Sequence, residues 1–197
     1  TLDSIIEQDP TAYNYYLRGY LKYKIKKYPQ ALSDYNQAIE LNPEEFDFYY
    51  SRGMLKDKTN DFNGAVKDYT KCIGLNNDSD KSYFNRALSN TMMNNFKGAL
   101  DDYSKCIEIN PENKDAFQNR GIIKTELYQF DEAIVDFDQA IKIDPDFLEA
   151  YQNRAIAKSV LNRKDALNDF NKVVLLDPNN GEGYYNRALH LINHNMK

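Results

Sequence analysis

The chain has 197 residues and a formal net charge of −5. This charge argues against a nucleic-acid-binding protein, because such proteins carry a basic surface that neutralises phosphates. Its apolar runs are far shorter than the ~20 residues of a membrane-spanning helix, and no signal peptide is recognisable. We therefore expect neither nucleic acid nor a membrane span. Because the chain begins at Thr1, we expect a processed form or a fragment of a longer protein.

The sequence repeats itself every 34 residues. Each repeat carries an arginine, then an alanine, then an aromatic residue at fixed offsets. The arginines are Arg18, Arg52, Arg86, Arg120 and Arg154, and the alanines are Ala31, Ala65, Ala99 and Ala133. Self-similarity at this period is the signature of a helical solenoid. Such an array presents a long surface to another molecule.

Taken in chain order, residues 1–10 are predicted to be the tail of a preceding helix. One domain is predicted over residues 11–195, with helical hairpins that start near residues 12, 46, 80, 114 and 148. In the second hairpin, Tyr49 and Gly53 share a face of the first helix, while Ala65, Tyr69 and Cys72 line the second helix at helical spacing. The domain is predicted to end in a single capping helix over residues 181–195.

The last full repeat is one residue short. Ala133 and Ala166 are 33 residues apart, whereas Leu127 and Leu161 are 34 apart. The missing residue therefore lies in the turn between Leu161 and Ala166, outside both helices, where a deletion costs little. On the capping helix we expect apolar residues to face inward and polar residues to face outward. The inward set is Tyr184, Ala188 and Leu191, and the outward set is Arg187, His190 and Asn193.

Each full repeat pairs an arginine on its first helix with an aspartate 15 or 16 residues later on its second. The pairs are Arg18 with Asp34, Arg52 with Asp68, Arg86 with Asp102, Arg120 with Asp136, and Arg154 with Asp169. We interpret them as salt bridges that set the register of the helices. The alternative is a row of arginines that binds phosphate or carboxylate, but the aspartates would compete with such a ligand.

The two cysteines, Cys72 and Cys106, occupy equivalent places in successive repeats. We expect small buried residues rather than a disulfide, because equivalent positions of stacked helices lie about 10 Å apart. This favours a reducing compartment, and we expect a cytoplasmic location.

The order of these residues resembles the tetratricopeptide repeat family: an aromatic, Gly or Ala four residues later, then Ala, an aromatic, Ala or Cys, and Pro. The resemblance covers almost the whole chain. It implies an all-α, right-handed superhelical solenoid of helical hairpins with a C-terminal capping helix. It also implies that the first helices of the hairpins line a concave groove, in which an extended peptide of a partner binds.

Two patterns lie on the predicted groove. A column of asparagines, Asn85, Asn119, Asn153 and Asn186, resembles the asparagine ladder of the O-GlcNAc transferase repeat domain and is predicted to hold a peptide backbone through amide donors and acceptors. The alternative is that these asparagines cap local backbone groups. Aromatic residues, Tyr16, Tyr20, Tyr50 and Phe84, lie at one end of the groove, and acidic residues, Asp115, Glu149 and Glu182, lie at the other. They predict a peptide with apolar side chains at one end and basic side chains at the other.

No enzyme site, metal site or cofactor site is predicted. The two histidines, His190 and His194, have the spacing of zinc ligands on a helix, but no third ligand accompanies them. The sequence therefore predicts a scaffold or adaptor that binds a protein or peptide. One alternative is a homo-oligomer that associates through apolar residues at the N-terminal end, namely Leu2, Ile5, Ile6 and Tyr13. The other is a substrate-docking or regulatory domain of a larger enzyme.

Overall fold

The computed structural model describes residue 6 and residues 9–195. The predicted helix tail over residues 1–10 therefore lies almost entirely outside the described residues. All regular secondary structure in the described residues is α-helical. The helices are α1 (Ala12–Lys24), α2 (Tyr28–Leu41), α3 (Phe46–Lys58), α4 (Phe62–Leu75), α5 (Asp80–Met92), α6 (Phe96–Ile109), α7 (Lys114–Glu126), α8 (Phe130–Ile143), α9 (Leu148–Val160), α10 (Ala166–Leu176) and α11 (Gly181–Asn195).

The chain divides into two compact units, Thr1–Ile109 and Asn110–Lys197. The first contains the hairpins α1–α2, α3–α4 and α5–α6, and the second contains α7–α8, α9–α10 and the single helix α11. Within each unit, every second helix also packs on the first helix of the next hairpin, and the first helices of successive hairpins contact each other. In each unit, we call the surface formed by these first helices its first-helix face. The predicted all-α fold of helical hairpins is confirmed.

The repeated small and aromatic residues form the core of each hairpin. In α8, Ala133, Phe137 and Ala140 are completely buried. Helix α7 crosses α8 at Gly121, and a Cβ atom on Gly121 would lie only 2.6 Å from the Phe137 ring. The same close approach recurs at Gly53, whose Cβ would lie 2.8 Å from the Tyr69 ring. The small residue is therefore required because the two backbones approach each other at this point.

Each turn between the two helices of a hairpin contains one residue in the left-handed conformation, with φ between 56° and 63°. These residues are Lys26, Asn60, Asn94, Tyr128 and Asn162. At Tyr128 the backbone follows a Schellman motif, since Gln129 N donates to Lys124 O at 2.8 Å and Tyr128 N donates to Thr125 O at 3.0 Å. Glycine is favoured at this position because it has no Cβ atom, and asparagine also adopts the left-handed conformation readily.

Tyr128 is the aromatic residue among these five, and its side chain is 83% exposed. We expect Tyr128→Gly to raise the free energy of unfolding by about 0.5–1 kcal/mol, because relief of the left-handed strain exceeds the entropic cost of glycine. Urea denaturation followed by circular dichroism measures the change. Asn162→Gly, at the equivalent position of the next hairpin, is the control and should change stability by only a few tenths of a kcal/mol. A destabilised Tyr128→Gly variant would contradict the argument.

The residue missing from the last full repeat shortens the second helix, and the turn before that helix is longer than in the other hairpins. α10 begins at Ala166 and has 11 residues, whereas the other second helices have 14. Ala166 corresponds to the alanine in the fourth position of those helices, so the deletion removes the first helical turn. Asp165, just before the helix, instead pairs with Lys158 at 2.8 Å, and this hydrogen bond lowers the pKa of Asp165.

The predicted orientation of α11 was wrong for Tyr184, Ala188 and His190, whereas Asn193 is exposed as expected. Tyr184 is 42% exposed and Ala188 is exposed, whereas His190 is 4% exposed. In the full hairpins, the face with the equivalents of Tyr184 and Ala188 is covered by the second helix of the same hairpin. No such helix follows α11 in the described residues, so this face stays open and His190 packs toward α9 and α10.

Candidate functional site

The repeated arginines are used inside the hairpins rather than offered to a ligand. Arg120 binds Asp136 with two hydrogen bonds, Nη2 to Oδ1 at 2.6 Å and Nε to Oδ2 at 3.0 Å. The other four predicted pairs have the same two bonds. The five aspartates are 1–5% exposed. The prediction that these pairs are structural salt bridges is confirmed.

In most hairpins a lysine, which the sequence analysis missed, also binds the aspartate of the Arg–Asp pair. Lys124 lies one helical turn after Arg120 and binds the second oxygen of Asp136 at 2.7 Å. Three other hairpins have an equivalent lysine, namely Lys22, Lys56 and Lys158. In the third hairpin Asn90 takes this place and donates to Asp102 at 3.3 Å. The signal was in the sequence, because the lysines recur four residues after the arginines.

The predicted asparagine column occupies equivalent positions of the first helices, with Asn85 in the first unit and the other three in the second. Two of the four already have an intramolecular partner. Asn85 Nδ2 donates to the Tyr50 hydroxyl at 2.8 Å, and Asn119 Nδ2 donates to the Asp115 carbonyl of its own helix at 2.8 Å. Local capping, the alternative interpretation of the column, therefore occurs at Asn119.

The other two amides have no side-chain hydrogen bond within the described part of the chain. Asn153 and Asn186 are partly exposed on α9 and α11, two helices that contact each other. Asn186 also lines a cavity of about 520 Å³ on the first-helix face, together with Ile156 and Leu189. This part of the second unit therefore combines open amide groups with a concave surface that has both polar and apolar walls.

The predicted aromatic anchors differ in how far they are available. Tyr20 is 41% exposed. Tyr16 packs on Phe48, with ring centroids 5.1 Å apart, and belongs mainly to the core. Tyr50 and Phe84 are partly buried and each contacts the buried tyrosine of its own hairpin edge-on. Tyr20 is thus the most accessible of the four, whereas the others present only part of a ring.

The predicted acidic residues are all exposed in the first turns of α7, α9 and α11. A carboxylate in the first turn also stabilises its helix through the helix dipole. Lys114 lies close to two of them. Its ammonium binds Asp144 at 2.5 Å, and its pKa is raised by that hydrogen bond and further by Asp115 and Glu149. The field of these two carboxylates is therefore partly neutralised.

Two polar pairs between successive first helices were missed by the sequence analysis. In the first unit, the Ser89 hydroxyl donates to Asp57 Oδ1 at 2.6 Å. In the second, the Ser159 hydroxyl and His190 Nδ1 lie 2.8 Å apart. Ser89 and His190 occupy the same repeat position, which is apolar in other repeats. Those apolar residues are Leu21, Leu55, Ile123 and Ala157. The departure from the repeat pattern was the signal that these positions are special.

The described residues contain no group of three or more His, Cys, Asp or Glu side chains that could hold a metal ion. The imidazoles of His190 and His194 stack on each other at 4.1 Å. Burial, together with the neighbouring His194, lowers the pKa of His190. Both cysteines are free and buried, and burial raises the pKa of Cys72 to about 12, so this thiol is a poor nucleophile. No helix of the described residues is long and apolar enough to span a membrane.

Sequence models of the tetratricopeptide repeat match residues 46–79, 80–113 and 115–147, and a further repeat model of the same type matches residues 19–56. These matches cover more than half of the chain. The protein belongs to the tetratricopeptide repeat family. Its fold is that of a protein-interaction scaffold, which presents an extended surface rather than an enclosed active site. Among curated proteins, none matches the sequence.

Solved structures share the fold of this tetratricopeptide repeat protein. The MamA protein is 22% identical, with a TM-score of 0.81 over 87% of this chain and 94% of that one. YrrB, described as a TPR protein with an unusual peptide-binding site, is 19% identical, with a TM-score of 0.80 over 94% and 96% of the two chains. A tetratricopeptide repeat protein from Parabacteroides merdae is 20% identical, with a TM-score of 0.83 over 94% and 75%. Identities this low show a common fold.

Proposed function

We propose that this protein is a scaffold or adaptor that binds an extended peptide segment of a partner protein on the first-helix face. The observation that carries the proposal is the pair of open amides, Asn153 and Asn186, on adjacent first helices beside a cavity with both polar and apolar walls. An amide offers one donor group and one acceptor, which matches the backbone of an extended peptide whatever its sequence. The peptide-binding site named for YrrB, which has the same fold, supports the proposal.

The chemistry of the face suggests which segments bind. Apolar surface is offered by Tyr20 in the first unit and by Leu189 in the second, which are 41% and 43% exposed. Glu149 and Glu182 add exposed carboxylates near the open amides, so basic side chains are favoured there. The arginines contribute little attraction for acidic segments, because each of the five is bound to an aspartate of its own hairpin.

The test is a selection of random peptides on the immobilised protein, followed by affinity measurements with a selected peptide. We expect the double variant Asn153→Ala/Asn186→Ala to bind that peptide about thirtyfold more weakly, because two hydrogen bonds of about 1 kcal/mol each are lost. Helix content should not fall, since alanine favours helices more than asparagine does. Fluorescence anisotropy measures affinity and circular dichroism measures helix content.

The matched control is Asn168→Ala, which removes an exposed asparagine from the second helix α10 and should leave the affinity unchanged. An unchanged affinity of the double variant would show that the amides do not hold the peptide. Failure to select any peptide on a folded protein would contradict groove binding altogether.

A further inference from the structure

The carboxylate of Asp57, on α3 of the first unit, is held by hydroxyl groups alone. Its Oδ2 accepts a hydrogen bond from the Tyr69 hydroxyl at 2.7 Å, and its Oδ1 accepts one from Ser89 at 2.6 Å. Within the described residues, Asp57 takes part in no salt bridge. Asp68 in the same hairpin is different, because Arg52 and Lys56 both bind it.

This carboxylate lies in a cavity of about 330 Å³ on the first-helix face. The lining residues come from four helices of the first unit and are Tyr23, Met54, Asp57, Lys58, Tyr69 and Asn85. Met54 is 39% exposed and supplies a flexible apolar wall. The amide of Asn85 is fixed by its hydrogen bond to Tyr50. The cavity therefore combines apolar and aromatic walls with a single carboxylate.

Asp57 and Ser89 both depart from the repeat pattern. The position of Asp57 is held by uncharged residues elsewhere, namely Tyr23, Thr91, Thr125 and Ser159. The position of Ser89 is apolar in the other full hairpins. The first unit thus has a charge at a site where the other hairpins have none, with a hydroxyl that holds one of its oxygens in place.

A half-buried carboxylate without a cation is electrostatically unsatisfied. Burial raises the pKa of Asp57, and the hydrogen bonds from Ser89 and Tyr69 offset this effect only in part. A cation that enters the cavity would compensate the charge, and its aliphatic stem would contact Met54 and the rings. Lys58 also lines the cavity, but no ion pair joins its ammonium group to Asp57.

We propose that the Asp57 cavity receives one cationic side chain, lysine or arginine, of the segment that the protein binds. The inference rests on the proposed function and adds a specificity-determining residue to it. It places a basic side chain of the partner on the first unit, in addition to the exposed acidic residues of the second. Lys58, which also lines the cavity, weakens the attraction for this cation.

The test is a parallel peptide selection on the wild type and on Asp57→Asn. Asparagine keeps the shape and can bond both hydroxyls, so the variant should fold normally. We expect a lysine or arginine at one fixed position of the peptides selected on the wild type. In the peptides selected on Asp57→Asn, we expect this basic residue to be lost while the rest of the motif is retained.

For a selected peptide, we expect Asp57→Asn to lower the affinity about tenfold and Lys58→Met to raise it. The residue selected at that position decides between lysine and arginine. Identical motifs and affinities for the two proteins would overturn the inference and leave the proposed function intact.

A second measurement tests the cavity without a peptide. n-Butylguanidinium and n-butylammonium imitate the two side chains, and n-butanol is the uncharged control. We expect the cations to shift the NMR signals of the Tyr69 and Ser89 amides with a dissociation constant on the order of 10 mM, and expect no such shifts in Asp57→Asn. If no peptide is selected but these shifts occur, the proposed function fails and the cation site stands. Equal shifts with n-butanol, or none with the cations, would overturn the inference.

Discussion

Replacing Asp136 by alanine should lower the free energy of unfolding by about 3–5 kcal/mol. Asp136 is 1% exposed and accepts hydrogen bonds from Arg120 on one side, while Lys124 binds it at 2.7 Å on the other. Removal of the carboxylate leaves these two partly buried cations without the charge that compensates them. Breaking one side of a buried ion pair is costly because the remaining charge is poorly solvated.

The matched control is Asp138→Ala on the same helix. Asp138 binds Arg154 at 2.5 Å, but its side chain is 48% exposed, so water and salt screen this pair. We expect this change to cost less than about 1 kcal/mol. Urea denaturation measures both variants. Equal losses for the two would show that burial does not decide the strength of these pairs.

The repeat predicts the fold because it constrains both the limits of the helices and the residues that pack between them. The 34-residue period fixes which residues are small, which are aromatic and where the helices break. Ala133, Phe137 and Gly121 each have one role in the hairpin, and the structure places them accordingly. The Arg–Asp pairs are predictable for the same reason, since a charge that recurs with the period must have a recurrent partner.

The candidate site is less predictable, because it depends on the residues that depart from the repeat. Asp57 accepts a hydrogen bond from Ser89, which lies 32 residues later in the chain. In the neighbouring hairpins the residue equivalent to Asp57 is uncharged and the residue equivalent to Ser89 is apolar. Such a contact becomes visible only once the packing of successive first helices is known. His190 shows the same difficulty: its polar character predicts exposure, but its place in the repeat requires burial. For α11, the position of a residue in the repeat therefore predicts its burial better than its polarity does.

Replacing Phe137 by alanine should also be strongly destabilising, by about 3–5 kcal/mol. The ring is completely buried and packs with Ala133, Ile134 and Ala157 in the core of the second unit. Its removal loses the transfer free energy of the ring and leaves a cavity that the neighbouring helices can fill only in part. Val135→Ala, at a 57% exposed position of the same helix, is the control and should change stability by no more than about 0.5 kcal/mol.

A double-mutant cycle with Gly121 decides whether the ring is also the reason for the glycine. In the wild type, a Cβ atom at position 121 would lie 2.6 Å from the Phe137 ring, so Gly121→Ala should cost about 1 kcal/mol through overpacking. In the Phe137→Ala background the ring is gone, and the same change should stabilise by about 0.5–1 kcal/mol through helix propensity. The sign should therefore reverse, with a coupling energy above about 1 kcal/mol. An effect of Gly121→Ala that is the same in both backgrounds would mean that the ring does not require the glycine.

Ala87 and Ala155 stand at the equivalent place in other hairpins and are completely buried. A methyl group is therefore accommodated at this place in other hairpins, which is why the expected cost of Gly121→Ala is modest.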